Sequence, residues 1–209
     1  MKIFFKIALF AFVVSFAPLA NAKESEYIKK AEEYLSSIKT ISADFVQTGS
    51  GYDVTGKGRI FISRPGLARW EYEMPSNVLM IINGKDLSYY DKELDQVTYA
   101  GISGTPLKTI LEEDINFSED FEIKDTKEDI SYFTISLGQK KDNKEKNDFF
   151  ETLSLIFEKE PFELKKLVRI DSNGTPVIIN LINTEFNKEL AKDLFIFKNP
   201  RAFKGRRRN

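Results

Sequence analysis

The chain has 209 residues, with 31 lysines and arginines against 32 aspartates and glutamates and a formal net charge of -1, which gives no bulk attraction to nucleic acid. Neither cysteine nor histidine occurs, which excludes Ser-His-Asp and Cys-His nucleophile pairs, most zinc sites and thiol redox chemistry. Carboxylate catalysis is the enzyme chemistry left open.

The first 22 residues, MKIFFKIALFAFVVSFAPLANA, have lysines at 2 and 6, an apolar run from Ile7 to Phe16 and Ala20-Asn21-Ala22 as a small-residue cleavage site. This predicts a secretory signal peptide cleaved after Ala22. A membrane span needs about 20 apolar residues, and this run is broken at Pro18. The signal holds two of the basic residues and none of the acidic ones, so residues 23–209 carry 29 against 32, a net charge of -3. They are expected to form one domain. With no cysteine to take a lipid, this part is expected to be soluble, and with no disulfide it is expected to be stabilised by burial of an aromatic-rich core, with 18 phenylalanines in the whole chain. The short apolar segment and its cleavage site predict a periplasmic location, and a monomer is expected.

From Glu24 to Lys39, Tyr27, Ile28, Ala31, Tyr34, Leu35 and Ile38 recur at spacings of three and four, which predicts an amphipathic helix. Ile41 to Gln47 alternates as a strand and ends at a turn over Gly49-Ser50-Gly51. The following run, GKGRIFISRPGLARWEYEMP from Gly56 to Pro75, reads as strand, tight corner and strand. Alternation puts Gly58, Ile60, Ile62 and Arg64 on one face of its first strand. After the Arg64-Pro65-Gly66 corner, Ala68, Trp70 and Tyr72 share a face, opposite the charged Arg69, Glu71 and Glu73. Arg64 therefore follows an apolar face, where a buried charge without acceptors costs several kcal/mol by a rough estimate.

Val78 to Ile82 is apolar on both faces, and Asn83-Gly84 is a hairpin signal returning through Asp86 to Tyr90. Asp91 to Asp95 turns into a short strand from Gln96 to Tyr99. Thr105 is a candidate N-cap, with Pro106 at the first helical position and Leu107, Ile110 and Leu111 on one face of a short helix. Strands are predicted over Phe121–Lys124, Tyr132–Leu137, Glu151–Phe157, Leu164–Asp171 and Pro176–Phe186. Gln139 to Asp148 reads as a polar, mobile hairpin loop, and Asp171-Ser172-Asn173-Gly174 as a turn. Leu194 to Phe197 is expected to close the sheet before a loose basic tail, KGRRRN.

No internal repeat, P-loop, Rossmann glycine pattern or nucleic-acid motif occurs, and no cofactor or metal is expected. The carboxylate pairs Glu112 with Glu113 and Asp91 with Asp95 are the sort that chance supplies among 32 acids, so a solvated surface outweighs a hydrolase. The fold class expected is α+β, a curved antiparallel sheet wrapped about helices. If the two helices cover the apolar face incompletely, an apolar cavity results, the usual setting for a lipidic ligand; the bland alternative is a filled core.

The order and spacing of several motifs resemble the LolA family, the periplasmic carriers of outer-membrane lipoproteins. The resemblance includes Ile41-Ser42-Ala43-Asp44-Phe45-Val46-Gln47, RPGLARWEYEMP, Asn83-Gly84-Lys85, Tyr89-Tyr90-Asp91, Gln96-Val97-Thr98, Thr105-Pro106-Leu107 and Leu194-Phe195-Ile196-Phe197. It implies an unclosed half-barrel with a helical lid whose cavity takes the acyl chains of a lipoprotein. The implied partners are acylated lipoproteins, an inner-membrane LolCDE-type ABC exporter and an outer-membrane acceptor where one exists. Arg64 matches the family arginine that holds the lid through its backbone. A lipid-binding cavity is expected to use Phe45, Ile60, Ile62, Trp70, Leu79 and Ile81, with Leu107, Ile110 and Leu111 on the lid. Ala68 stands where the family often has a bulky aromatic at the carrier's contact surface, and the ending KNPRAFKGRRRN departs from the family pattern. The alternatives are a related module of the same fold, such as an outer-membrane lipoprotein acceptor or an envelope-stress sensor. The missing lipidation cysteine disfavours the acceptor.

Overall fold

A computed structural model of the chain describes residues 19–49, 55–103, 105–140 and 150–201. The expected signal sequence up to residue 18, most of the turn after Gly49, most of the polar loop after Gln139 and the basic tail lie outside the described residues. Helix α1, Leu19–Ser37, starts five residues ahead of the expected Glu24 and runs through Ala20-Asn21-Ala22. Its apolar stripe holds as predicted. Ala31, Leu35 and the following Ile38 are buried, with Tyr27, Ile28 and Tyr34 half-buried beside them.

Eleven strands follow: β1 Thr40–Gly49, β2 Gly56–Ser63, β3 Leu67–Tyr72, β4 Val78–Asn83, β5 Asp86–Asp91, β6 Gln96–Gly101, β7 Phe121–Glu128, β8 Tyr132–Gln139, β9 Thr152–Lys159, β10 Phe162–Ile170 and β11 Pro176–Phe186. They form one antiparallel sheet in the order β6-β5-β4-β3-β2-β1-β11-β10-β9-β8-β7. The chain leaves the β6 edge, crosses by helices α2 (Pro106–Ile110) and α3 (Phe117–Asp120), and resumes at the opposite edge in β7. Strand β11 then returns to pair with β1. Strands β6 and β7 remain at the two ends of the sheet order, so the barrel is unclosed.

Two apolar clusters fill the concave face. One packs Ala31 and Leu35 of α1 and Phe117 of α3 against Phe133, Ile135 and Phe157 of β8 and β9. The other joins Ile38, Phe45, Ile60, Ile62, Ala68 and Ile82 with Leu111 at the end of α2. Tyr34 adjoins both, and meets Phe157, Phe162 and Phe186 edge-on at 5.7–6.1 Å between ring centroids. Sustained alternation on β1, β2, β8 and β9 is what lets one sheet face be this greasy.

Three readings change. Thr105 precedes α2, but its hydroxyl donates to the Ile102 carbonyl at 2.7 Å instead of capping the helix. Helix α3 was not anticipated, although Asn116 and Glu119 form a capping pair: the Asn116 side chain accepts from the Glu119 amide at 3.3 Å. Leu194 to Phe197 does not join the sheet. A 3-10 helix, Lys192–Phe195, and the residues after it lie over the convex side of β3 and β4. A four-residue apolar run fits a strand by periodicity, but here it covers outward-facing apolar residues of β4.

Candidate functional site

The corner after β2 gathers three elements. The Arg64 amide donates to the Lys39 carbonyl at 2.8 Å, and its side chain, 8% exposed, turns inward. The guanidinium Nε donates to the Ile110 carbonyl of α2 at 2.8 Å, while Nη1 donates to the carbonyls of Leu35 and Ile38 at the end of α1, the latter at 3.0 Å. Helix C-termini leave carbonyls without intrahelical donors and carry partial negative charge, so a cation there is doubly favoured. Burial lowers the Arg64 pKa to about 10, which leaves it charged at neutral pH. No carboxylate among the described residues forms a salt bridge with it. A buried cation is therefore held by neutral carbonyls of the two helices that cover the sheet.

Gly66 completes the lock. Its amide donates to the Leu111 carbonyl at 2.9 Å, and its own carbonyl accepts from the Gly84 amide at 2.9 Å. A φ of 78° at Gly66 is the left-handed conformation that a residue with a Cβ adopts poorly. The carbonyls of Ile110 and Leu111 at the end of α2 thus both accept from the Arg64-Pro65-Gly66 corner.

Beneath the lid, cross-strand register sets the inner face. Ile60 pairs with Ala43 and Trp70, Ile62 with Ile41 and Ala68, and Gly58 with Phe45 and Tyr72. A Cβ on Gly58 would come 1.9 Å from the Glu71 carbonyl oxygen and 3.0 Å from the Phe45 ring, so glycine is what admits the Phe45 side chain. Phe45 meets Trp70 and Tyr72 edge-on at 5.4 and 4.9 Å. The Tyr72 hydroxyl lies 2.8 Å from Gln47 Oε1, and burial pushes its pKa up to about 12. The Trp70 Nε1 is buried and has no hydrogen-bond partner among the described residues.

Of the expected site residues, Phe45, Ile60, Ile62, Trp70, Leu107 and Leu111 come together in one cluster, while Ile110 packs against the neighbouring cluster of the same face. Leu79 and Ile81 do not belong. They pair with Glu71 and Arg69, on the face opposite Trp70 and Ala68, because the inward residues of β4 are Met80 and Ile82. The C-terminal segment covers them instead, which is why β4 is apolar on both sides. Nor is Ala68 at an outer contact surface: it is 5% exposed within the inner cluster. Ile38, Ile41, Ala43, Ile82 and Ile102 belong to the same cluster although the sequence did not single them out as lipid-binding. Ile41 and Ala43 carry the same alternation that selected Ile60, Ile38 continues the helical spacing of α1, Ile82 lies in a run apolar on both faces, and Ile102 follows the end of β6 with no periodic signal.

The core of the inner cluster is buried: Phe45, Ile60, Ile62 and Leu111 are 1–6% exposed. A groove of about 500 Å³ runs beside the lid, lined by Gly66, Lys85, Thr105, Lys108 and Glu112, and of the expected lipid-binding residues only Leu111 borders it. The suspected carboxylate pairs have structural partners. Glu112 and Glu113 lie 3.4 and 2.7 Å from Lys108 and Lys39, Asp91 accepts from the Glu93 and Leu94 amides, and Asp95 accepts from the Tyr90 hydroxyl at 3.1 Å. No helix among the described residues is long and apolar enough to cross a membrane.

Residues 36–198 match the model of a family described as "Outer membrane lipoprotein carrier protein LolA". An outer-membrane lipoprotein carrier protein of Pseudomonas aeruginosa (strain UCBPP-PA14) is 30% identical over 192 residues, which cover 88% of this chain and 89% of that one. An uncharacterized protein of Rickettsia prowazekii (strain Madrid E) is 26% identical over 189 residues, covering 88% and 82%. Among solved structures, an uncharacterized conserved protein from Thermus thermophilus aligns with a TM-score of 0.51 at 11% identity, over 85% of this chain and 96% of that one, a likeness of fold alone.

Proposed function

The chain belongs to the LolA family of outer membrane lipoprotein carrier proteins, and on that premise we propose that it holds the acyl chains of lipoproteins between its lid and the inner face of its half-barrel. It works without catalysis, in the periplasm, after removal of residues 1–22. It receives cargo from an inner-membrane LolCDE-type ABC exporter and carries it to the outer membrane, to an acceptor where one exists. The observation that supports this reading best is the Arg64 bridge from the sheet corner to the Ile110 carbonyl, which closes an apolar face with polar bonds that can break as a unit.

The energetics favour such an arrangement. Each methylene moved from water to an apolar site is worth roughly 0.8 kcal/mol, so a long acyl chain has ample drive to enter. Release is the harder half of a carrier's cycle. Charge-assisted hydrogen bonds worth about 1.5 to 3 kcal/mol each, formed only when the lid is shut, oppose occupancy and make the grip moderate. Leu107, Ile110 and Leu111 would then exchange one apolar partner, the sheet, for another, the lipid.

Titration of the protein with a fluorescent fatty acid tests the proposal. Saturable binding with a quench or shift of Trp70 emission is expected; an absence of saturable binding favours a core that is merely filled. Protein recovered from a periplasmic fraction should begin at Lys23, and an N-terminus at Met1 would contradict the export step.

A further inference from the structure

The inner face changes polarity along its length. Near the corner that holds the lid, its residues are Ile41 and Ala43 on β1, Ile62 on β2 and Ala68 on β3. At the far end stand Gln47 and Tyr72, hydrogen-bonded to each other, with Arg169 close enough that its charge pulls the Tyr72 pKa down against the larger effect of burial. Trp70 occupies the boundary, one inward position from Ala68 and one from Tyr72. Its Nε1 is buried with no partner among the described residues, in a chain where that is the only tryptophan. A buried indole N–H usually finds an acceptor, and leaving one unmade is unfavourable.

We infer that Trp70 is a specificity-determining residue whose Nε1–H donates to the carbonyl oxygen of a bound acyl chain, and so sets its direction. An acyl chain differs from a plain alkane in that one carbonyl. With the carbonyl at Trp70, the methylenes lie toward Ile60, Ile62 and the lid, while the polar end leaves past Tyr72 and Gln47. The apolar neighbours of Trp70 then select hydrocarbon, and its N–H selects hydrocarbon that ends in an ester or amide. This inference rests on the carrier reading above. It goes beyond that reading in separating acyl from alkyl ligands.

Two synthetic lipopeptide probes make the test: one with two palmitoyl ester chains, the other its dialkyl ether analogue, which lacks the carbonyls. Wild type is expected to bind the ester probe more tightly, and Trp70→Phe, which keeps an aromatic ring but lacks the donor, to lose about three- to tenfold for the ester and nothing specific for the ether. A spectroscopic arm needs no variant. The single tryptophan gives one indole N–H resonance, which should move downfield with the ester probe and stay near its free position with the ether. Equal losses for the two probes in Trp70→Phe, or equal indole shifts in wild type, would overturn the role of Trp70 and leave the carrier reading standing. Binding of neither probe by wild type would overturn both.

Discussion

Arg64 Nε and the Ile110 carbonyl, 46 residues apart in sequence, meet at 2.8 Å, and the same guanidinium reaches the end of α1. The lid is therefore not held only by its apolar face. Leu111 is buried in the cluster beneath it and would favour contact with any greasy surface, sheet or lipid. On the proposed carrier reading the polar bonds of Arg64 would discriminate, because they hold α2 and α1 in the arrangement seen here and offer nothing to a hydrocarbon chain.

Gly58→Ala should destabilise the protein by about 1–3 kcal/mol, the range for forcing atoms into a filled site. The new Cβ would sit 1.9 Å from the Glu71 carbonyl oxygen, which is backbone and cannot swing aside. Chemical denaturation measures this. An unchanged midpoint would mean that β2 and β3 do not pair in the register found here.

Ile60 and Ile81 are both buried isoleucines, on opposite faces of the sheet. Truncating either to alanine should cost about 2–5 kcal/mol of stability. Their effects on ligand should differ. In folded samples, Ile60→Ala weakens binding of a fluorescent fatty acid, while Ile81→Ala leaves it as in wild type. A loss of binding in Ile81→Ala would move the site to the convex face.

Glu71 sits on that convex face between Arg69 and Lys92, at 2.6 and 2.8 Å. Burial alone would raise its pKa, but the bonds and charges of these two partners outweigh it and hold the carboxyl below its usual 4.5. A depressed acid stabilises the fold above its unfolded value and ceases to do so as pH falls through its folded one. Wild type should therefore melt above Glu71→Gln at neutral pH, and the gap should close below about pH 4.5. Because Arg69 also donates to the Leu194 carbonyl at 3.3 Å, protease nicking near Leu194 should rise over the same range. A gap independent of pH would show that the carboxylate charge is immaterial.

Much of this architecture was legible in the chain, because alternation decides which face a strand residue occupies once the strand is recognised. Phe45, Ile60, Ile62 and Trp70 fell on the correct face by that count alone, and Arg64 followed them. On β4 the count failed, since Val78 to Ile82 is apolar throughout and alternation cannot say which half points inward. Register with Arg69 and Glu71 settles it: Leu79 and Ile81 share the charged face and are hidden by a segment more than a hundred residues later. The same segment misled as a strand for a related reason, since a short apolar run records burial but not what does the burying. Helix α3 had a readable signal in Asn116 and Glu119, too brief for apolar periodicity to mark it.

The most direct measurement is the rate at which a fluorescent fatty acid leaves wild type and Arg64→Leu, both shown to be folded by circular dichroism. Leucine suits the apolar surroundings but donates nothing to Ile110, Leu35 or Ile38, so shut and open arrangements come closer in free energy. Loss of even one charge-assisted bond, about 1.5 kcal/mol, corresponds to about a tenfold change in that balance. Closure would compete less with occupancy, and the acyl ligand should dissociate about tenfold or more slowly from the variant. Equal release rates would contradict the proposal that the Arg64 bonds to the lid drive cargo out.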